Sequence, residues 1–511
     1  MPICGFCVSL RSTIKNGKDQ VLARMNNVYE KYELVVGLEV HIQLLTRSKA
    51  YSADPNEYGA APNSNVSVIS LGHPGSLPVV NRRMVEYGIR VGLACNMNIH
   101  RDLHFARKNY FYADLPKGYQ ITQDKTPICT GGYITIKDDD GNPKQIGLIR
   151  AHLEEDAGRS IHDQDPFDTL IDLNRAGVPL IEVVSAPDIR SPKEAYNYLA
   201  EVRKLVRYLD ICDGNLEEGS MRCDANVSVR LKGSQEFGTR AEVKNMNSLR
   251  NVQKAIEYEM KRQIDLIEAG ERVVQETRSF DAATGSTFSM RSKEQAHDYR
   301  YFPEPDLQPL FISEADIDNV KANMPALPSE LFKKYTGELG LSEYDASVLT
   351  ENKEIALYFE ELIGYTSHYK AAANWVTGDV KSYLNNKALD IESFSIRPNR
   401  LAGLIELIQN GKLSYSIAAQ KVFPVMAQFD ERPALEVAME LNALIEVDGG
   451  DMLRQLAEAI LNDWPDKVAE YRNGKKGLLG LFMGELMKRS QGKANPKAAN
   501  ELIRQLLENQ S

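Results

Sequence analysis

Glu39 and His41 stand two residues apart in a stretch from Val36 to Leu44 that otherwise alternates with apolar residues. In a β-strand this alternation directs Glu39, His41 and Gln43 to one face and the apolar residues to the other. Side chains so spaced lie roughly 6–7 Å apart along the strand, which lets a carboxylate and an imidazole converge on one cation. A solvated polar strand face is the alternative, and an isolated Glu-x-His pair favours it.

Two later stretches also carry polar residues on one strand face. The first has Asp224, Asn226, Ser228 and Arg230 at alternate positions, and the second, after a glycine-containing turn, has Arg240, Glu242 and Lys244. Together they predict a β-hairpin whose polar face mixes carboxylates with cations. Such a face suits a metal ion bound together with a phosphate. A surface ion-pair ladder explains the pattern equally well.

Three consecutive acids, Glu154-Glu155-Asp156, end another alternating stretch. His152 and Glu154 share its polar face, and continued alternation would turn Glu155 to the apolar face. A β-bulge would re-aim Glu155 instead. The pattern therefore leaves open which acid points inward.

Cations and aromatic rings are interleaved between Phe105 and Gln120, a stretch that includes Lys108 and Lys117. This combination suits a stacked adenine ring or a tRNA terminus with its phosphates. A packed aromatic cluster covered by lysine side chains is the alternative. The sequence contains no P-loop motif and no dinucleotide-binding fingerprint, so any ATP must be held in another way.

The elements that carry these groups are short strands separated by glycine and proline turns, from about Tyr32 to Phe311. Two helices interrupt them. One follows Ser191-Pro192-Lys193-Glu194, where the serine is an N-cap, the proline suits the first turn and the glutamate can complete a capping box. The other runs from about Ser248 to Ala269 and ends before Gly270.

Length and composition indicate a globular protein with several domains. The 511 residues, 43% hydrophobic and 26% charged, predict two to four domains. The net charge of −10 disfavours nucleic-acid binding over the whole surface but allows a local basic site. Six sparse cysteines fit a reducing compartment, and the lone Cys4–Cys7 pair specifies no zinc site. No apolar run approaches the ~18 residues of a membrane helix.

We predict an α+β fold in four parts. Residues 1–31 form an N-terminal extension that is expected to be disordered. Alternatively, translation starts at Met25 and not at Met1. Residues 32–324 form a body with an antiparallel sheet, residues 325–448 an all-α helical domain, and residues 449–511 a helical tail. From Tyr471 onward the tail has eight lysines and arginines against three glutamates, which suits a phosphate backbone, although a solvated helical face explains the pattern equally well.

Several of these stretches, taken together and in order, resemble the ATP-using, tRNA-binding B-type subunit of the tRNA-dependent aspartyl/glutamyl amidotransferases. The resemblance extends from about Tyr32 to the C-terminus. The motifs that carry it are Val36–His41, Arg107–Tyr112, Leu115–Gln120, His152–Gly158, Glu217–Asn226 and Asp298–Asp306.

The resemblance implies a cradle-shaped body with a kinase site similar to that of glutamine synthetase, followed by helical and tail domains that bind tRNA. Such a carbon–nitrogen ligase phosphorylates the side-chain carboxylate of Glu-tRNA(Gln) or Asp-tRNA(Asn) with ATP and Mg²⁺. Ammonia, released from glutamine by an A-type amidase subunit, displaces the phosphate. A small C-type subunit completes a cytoplasmic heterotrimer with no membrane association.

The reaction brings together two anions, the γ-phosphate of ATP and the substrate carboxylate, and the site must neutralise both. This need and the resemblance together suggest the site residues. The predicted Mg²⁺ ligands are Glu39, His41, Glu155, Asp224 and Glu242. The predicted phosphate- or nucleotide-binding residues are Lys108, Lys117, Arg222 and Lys244. Glu155, favoured over Glu154 by the resemblance, and Lys108 are the predicted catalytic residues. The predicted tRNA contacts are Lys475, Lys476, Lys488 and Arg489.

One departure from the family concerns zinc. Some members carry four zinc-binding cysteines, and the corresponding positions here are Ser52, Asp54, Ser67 and Ser70. Because serine and a single carboxylate are poor substitutes for four thiolates, no structural zinc is predicted.

Two other functions remain open. A free-standing ATP-dependent carboxylate–amine ligase would act on a small molecule without a partner or a tRNA-binding tail. A non-enzymatic tRNA-binding scaffold would gain little from acids clustered on strand faces. The sequence has no Ser-Ser-Lys amidase signature, so glutamine hydrolysis is expected to belong to a partner. It leaves open whether glutamate, aspartate or both are accepted.

Overall fold

The computed structural model describes residues 28–291, 299–428, 431–445, 450–490, 494 and 496–508. The chain divides into two compact units, Met1–Leu327 and Pro328–Ser511. The first 27 residues of the predicted N-terminal extension, with Cys4 and Cys7, lie outside the described residues. Within the described ranges, no helix is long and apolar enough to cross a membrane.

A ten-stranded sheet organises the first unit. The strands described in this unit are β1 Tyr32–Gln43, β2 Asn98–Ile99, β3 Asp102–Leu103, β4 Ala106–Asn109, β5 Tyr119–Thr122, β6 Cys129–Thr130, β7 Tyr133–Lys137, β8 Pro143–Glu155, β9 Arg159–Ile161, β10 Leu170–Asp172, β11 Pro179–Ser185, β12 Met221–Leu231, β13 Ala241–Lys244, β14 Thr277–Asp281, β15 Ser286–Arg291, β16 Phe302–Pro303 and β17 Leu310–Phe311. The order in the large sheet is β15-β14-β13-β12-β1-β11-β8-β6-β2, with β7 also paired to β8.

The apolar face of the sheet is covered by helices. The helices whose bounds lie within the described part of this unit are α1 Arg82–Ala94, α2 Pro192–Tyr208, α3 Leu249–Glu268 and α4 Glu314–Ala322. Helix α1 packs on β8, α2 on β7, and α3 on β12. Leu38, Val40 and Ile42 of β1 are buried in the resulting core, which confirms the predicted alternation of β1.

The two long helices begin where the sequence predicts. The hydroxyl of Ser191 accepts the N–H of Glu194 at 3.0 Å, and Ser248 caps α3. The carboxylate of Glu194 accepts the N–H of Arg190 at 2.7 Å, one residue before the donor expected in a capping box. The predicted caps are therefore present, although the reciprocal hydrogen bond is displaced by one residue.

One strand pair departs from the predicted antiparallel sheet. The hairpin of β12 and β13 is antiparallel, with Ala225 opposite Val243, as the sequence indicates. Strand β14 then pairs with β13 in the parallel direction. This pairing is possible because α3 supplies the long crossover that two parallel neighbours need.

All regular elements in the described residues of the second unit are helical. Its helices are α5 Pro328–Lys333, α6 Glu343–Leu349, α7 Lys353–Ile363, α8 Tyr369–Trp375, α9 Lys381–Lys387, α10 Pro398–Gln409, α11 Tyr415–Ile417, α12 Phe423–Met426, α13 Ala434–Glu440, α14 Gly450–Asp463, α15 Pro465–Arg472, α16 Leu479–Arg489 and α17 Pro496–Glu508. Helices α14 to α17 enclose a hydrophobic core of their own, which includes Ile460, Phe482 and Ile503. A separate tail domain stays a prediction that this core supports.

Candidate active site on the polar face of the sheet

Two histidines and two glutamates meet on the polar face of the central strands. His41 of β1 lies opposite Glu182 of β11, and Glu182 lies opposite His152 of β8. The Nε2 atom of His41 is 3.1 Å from Glu182 Oε2 and 3.6 Å from Glu154 Oε1. The Nε2 atom of His152 is 3.3 Å from Glu182 Oε2 and 3.6 Å from Glu154 Oε2. These four residues form the His–Glu cluster.

Mutual attraction changes the pKa values in the His–Glu cluster. Burial alone would lower the pKa of His152, but hydrogen bonds to Glu154 and Glu182 raise it to about 9. The pKa of His41 is also raised, because the same carboxylates outweigh its burial. Burial would raise the pKa of Glu182, yet the two histidines hold it below its ordinary value. The cluster therefore stabilises two carboxylates in their charged form.

The geometry of three of these residues suits a metal ion. One donor atom each from His41, Glu154 and Glu182 lies within 4.8 Å of the other two. Among the described residues, this is the one group of histidine, cysteine or carboxylate donors that meets this spacing. Two carboxylates and an imidazole can bind a divalent cation when the imidazole is neutral.

Three further carboxylates lie on the same face and form the acidic group: Glu39, Asp224 and Glu242. Glu39 is directly opposite Asp224. The ammonium of Lys244 lies 2.5 Å from Asp224 and 3.0 Å from Glu242, while Asn226 donates to Glu39 at 2.8 Å. Four of the five predicted Mg²⁺ ligands are thus gathered on this face, including His41.

The acidic group also fits a cation electrostatically. Burial is the main cause that raises the pKa of Glu39, and the negative charges of Glu182, Asp224 and Glu242 raise it further. This repulsion remains although Lys244 pairs with two of the acids. A bound divalent cation would relieve it, so the donor set fits such an ion.

The fifth predicted ligand, Glu155, lies elsewhere. Alternation turns Glu155 away from the His–Glu cluster, and its carboxylate pairs with Lys117 and accepts the N–H of Ile121 at 2.9 Å. The expectation that Glu155 binds an ion together with His41 therefore does not match this placement. No bulge re-aims Glu155, since β8 and β11 keep their register from Ala151 to Glu155.

Glu155 and Lys117 border a cavity of about 280 Å³ that also receives Lys49. Lys49 is fully buried, and this burial lowers its pKa to about 8 despite nearby carboxylates. Sequence reasoning gave no sign of Lys49, because nothing in the adjacent residues marks a buried ammonium group. Lys117, one of the predicted phosphate-binding residues, therefore lines this cavity together with Glu155.

The predicted phosphate-binding residues Arg222 and Lys108 lie in different surroundings. The guanidinium of Arg222 donates to Asp156 at 2.7 Å, so it neutralises the third of the consecutive acids. Lys108 lies over the ring of Tyr299, 5.0 Å from its centroid. Burial would lower the pKa of Lys108, but the charge of Glu154 and its other neighbours raise it. Lys108 therefore remains a cation beside the His–Glu cluster.

The four positions that correspond to zinc ligands in some relatives do meet in space. Asp54 Oδ2 accepts the N–H of Ser67 at 2.9 Å and the hydroxyl of Ser70, and the hydroxyls of Ser52 and Ser70 are 3.2 Å apart. We call these residues the serine–aspartate cluster. Hydrogen bonds to one carboxylate hold two loop segments together here, and the absence of zinc stays a prediction.

The predicted tRNA contacts of the tail are exposed, with different neighbours. Arg489 pairs with Asp463 at 2.8 Å and Glu485 at 2.9 Å. Lys475 lies 3.2 Å from Glu470, and Lys476 lies over the ring of Tyr471. Lys488 is exposed on α16. Their contact with tRNA stays a prediction.

Comparison with known proteins matches nearly the whole chain. A family model described as the GatB/GatE catalytic domain covers residues 34–318, and one described as the GatB domain covers residues 357–507. The B-type subunit of the aspartyl/glutamyl-tRNA(Asn/Gln) amidotransferase of Thermodesulfovibrio yellowstonii is 48% identical over 477 residues, 93% of this chain and 99% of the relative. The protein of the same name in Chlorobium chlorochromatii is 51% identical with the same coverage.

The chain belongs to the GatB family of amidotransferase subunits. The catalytic-domain match contains the His–Glu cluster, the acidic group and the cavity of this GatB-family chain. The second match contains Lys475, Lys476, Lys488 and Arg489.

Glu182 is the member of the His–Glu cluster that sequence reasoning missed. It is the one acid within the otherwise apolar strand Pro179–Ser185. A carboxylate in such a strand must find partners when it is buried, which was the available signal. Its pairing with His41 is a contact between strands distant in sequence, so no local pattern could name the partner.

Proposed function

We propose that this chain uses ATP to phosphorylate the side-chain carboxylate of misacylated tRNA: Glu-tRNA(Gln), Asp-tRNA(Asn) or both. Ammonia released from glutamine by a partner protein then displaces the phosphate and gives Gln-tRNA(Gln) or Asn-tRNA(Asn). The names of the relatives support these substrates. Activation comes first because a carboxylate is a poor electrophile, whereas an acyl phosphate has a good leaving group.

The observation that carries the proposal is the crowding of five carboxylates, two imidazoles and Lys244 along one sheet face, with Lys108 of the neighbouring strand β4 beside them. Transfer of a phosphoryl group to a carboxylate brings two anions together, so the site must supply compensating charge. His41, Glu154 and Glu182 would hold one Mg²⁺ ion and leave coordination positions for substrate oxygens, while Glu39, Asp224 and Glu242 would be ligands of a further Mg²⁺ ion. The ions would neutralise the γ-phosphate and the attacking carboxylate together.

Protein cations would complete the site. Lys108 lies beside Glu154, and Lys244 lies between Asp224 and Glu242, so both ammonium groups are positioned to bind phosphate oxygens next to a metal. Arg222 is already paired with Asp156, which suits it to orient the strand rather than to bind ATP. We propose Glu154, in the position first expected for Glu155, as the metal ligand.

The proposed reaction requires other proteins. Without an amidase signature of its own, the chain would receive ammonia from an A-type amidase subunit, and a small C-type subunit would complete a heterotrimer in the cytoplasm. The basic residues of the tail would contact the tRNA backbone. The acceptor end of the same tRNA would bind at the polar face of the sheet.

Trapping of the acyl phosphate tests this function. The complex of this chain with its amidase partner is incubated with ATP, Mg²⁺, hydroxylamine and either misacylated tRNA. We expect ADP and the side-chain hydroxamate, γ-glutamyl or β-aspartyl, in equal amounts. Both depend on ATP and on the misacylated tRNA, which separates this product from the α-hydroxamate that hydroxylamine forms by cleaving the tRNA ester directly. His41→Ala should reduce both products by at least about 100-fold, because it removes a ligand of the proposed metal.

Two results would contradict the proposal. Equal ADP formation with free glutamate would indicate a small-molecule carboxylate–amine ligase. Tight tRNA binding without ADP or hydroxamate, with either misacylated tRNA, would indicate a scaffold.

A further inference from the structure

Two aromatic rings project from the loop between β4 and β5. The side chain of Phe111 is 85% exposed and that of Tyr112 is 63% exposed. We call this pair the aromatic rim. Neighbouring aromatic side chains left in solvent forgo the stabilisation of burial, so a solvent-exposed pair suggests a surface that binds something.

The loop holds the aromatic rim in place. The ring of Phe111 lies against Gly118, where an added Cβ would come within 3.3 Å of the ring. The rings of Tyr112 and Tyr110 meet edge to face, with centroids 5.8 Å apart. Beyond them, the carbonyl of Asp114 accepts the N–H of Gly158 at 2.7 Å. A platform fixed in this way loses little conformational entropy when a ligand binds.

The aromatic rim is close to the proposed reaction site. Lys108, whose ammonium is influenced by Glu154 and Glu182, precedes Phe111 by three residues, a Cα separation of at most about 10 Å. Tyr110 lies between them and is influenced by Glu154 and Glu155. A ligand that reaches the His–Glu cluster and extends outward past Lys108 therefore meets these rings.

We propose that Phe111 and Tyr112 stack on the unpaired base at the 3′ end of the aminoacyl-tRNA. This inference rests on the proposed function. The reacting amino acid is esterified to the terminal ribose, so its carboxylate and the terminal base are separated only by that ribose and the short amino acid. Aromatic rings beside a cation are the groups that bind an unpaired base of RNA next to its phosphate.

Stacking can be measured with a fluorescent terminal base. The complex with the amidase partner is titrated into misacylated tRNA whose terminal adenine is replaced by 2-aminopurine, a base whose emission is quenched by stacking. We expect quenching with the wild-type chain and its loss in the double variant Phe111→Leu, Tyr112→Leu. The KM for tRNA in the hydroxamate assay should rise about tenfold, the scale of one lost base stack, with a smaller change in kcat.

Matched variants keep the test decisive. Phe111→Trp should retain quenching, because any large aromatic ring can stack. Phe288→Leu, an exposed aromatic at the edge strand β15, should leave quenching and KM unchanged. Unaltered quenching and KM in the double variant would overturn the inference. So would loss of co-purification with the amidase partner, since the rings would then be a protein interface.

Failure of this inference differs from failure of the proposed function. If the wild-type complex makes hydroxamate while the double variant quenches normally, only the stacking role is wrong. If the wild-type complex makes no side-chain hydroxamate with either tRNA, the proposed function is wrong. The stacking role is then wrong too, because it assumes that the chain acts on aminoacyl-tRNA.

Discussion

At the scale of single residues, three consecutive acids have three different environments. Glu154 lies with His41 and His152, Glu155 with Lys117, and Asp156 with Arg222. Strand pleating separates the first two, because successive side chains point to opposite faces. Neighbouring carboxylates can thereby serve different purposes without repelling one another.

Glu154→Gln is expected to lower ATP-dependent phosphorylation by at least about 100-fold, since it removes a charged ligand of the proposed metal. Glu155→Gln is its matched control and should retain more than about a tenth of the wild-type rate. ADP release in the presence of misacylated tRNA measures both. The reverse order of effects would support Glu155 as the ligand and contradict our assignment of Glu154.

Local pattern was sufficient for some of these positions. The face shared by Glu39 and His41 follows from strict alternation, and the structure confirms it. Alternation also placed Glu154 with His152, whereas the choice of Glu155 followed the family resemblance. Lys49 and Glu182 could not be assigned, because their environments are created by contacts between distant segments.

At the scale of elements, the serine–aspartate cluster supports one wall of the cavity. Asp54 holds the segment that contains Ser67 and Ser70. Just after it, Gly72 has φ +67° and lies so close to Lys117 that an added Cβ would be 2.6 Å from Lys117 Cγ. Asp54 therefore helps to keep Lys117 against Glu155.

Asp54→Ala is expected to destabilise the first unit by about 1–3 kcal/mol at pH 7, because buried donors lose their acceptor. Burial would raise the pKa of Asp54, but hydrogen bonds from Ser70 and Ser67 hold it below its ordinary value. A carboxyl with a depressed folded-state pKa stabilises the fold above its unfolded pKa of about 3.9. The difference in the free energy of unfolding between wild type and Asp54→Ala should therefore shrink as the pH falls below about 4.

Urea unfolding at pH 7, 5 and 3.5 measures this difference. Circular dichroism is the appropriate probe, since both tryptophans, Trp375 and Trp464, lie in the second unit. Asp318→Asn, an exposed aspartate on α4, is the control and should change stability little. A gap between wild type and Asp54→Ala that widens in acid would refute the role of the ionised carboxylate.

Elements with local signals could be predicted from the sequence. Serine caps fix the starts of α2 and α3, and the glycine turn fixes the hairpin of β12 and β13. The parallel pairing of β14 with β13 could not be predicted. It depends on where α3 returns the chain to the sheet, and that is decided by packing rather than by residues near β14.

At the scale of the whole molecule, an acidic chain carries a locally basic end. The net charge is −10, yet exposed cations occur on α16 and in the loop before it. Several of them are already neutralised, as Arg489 is by Asp463 and Glu485. The number of cations therefore overstates the charge available to a nucleic acid.

Lys488→Ala is expected to weaken tRNA binding several-fold and to reduce the slope of log affinity against log salt by about one, the effect of one lost phosphate contact. Arg489→Ala, one residue further, should reduce the slope less because its charge is already paired. Binding measured between 50 and 200 mM salt, roughly the range in which such contacts respond, separates them. Equal slopes for both variants would contradict the role of pairing.

The regular pleat of β8 from Arg150 to Glu155 limits how this protein can evolve. Deleting Ala151, which lies within this regular segment, would move Glu155 into the position of Glu154 and turn His152 away from Glu182. Both changes would occur in a single step, with no intermediate that keeps half of the site. Insertions and deletions should therefore accumulate in loops such as residues 138–142, while the length of β8 remains fixed across descendants of this gene.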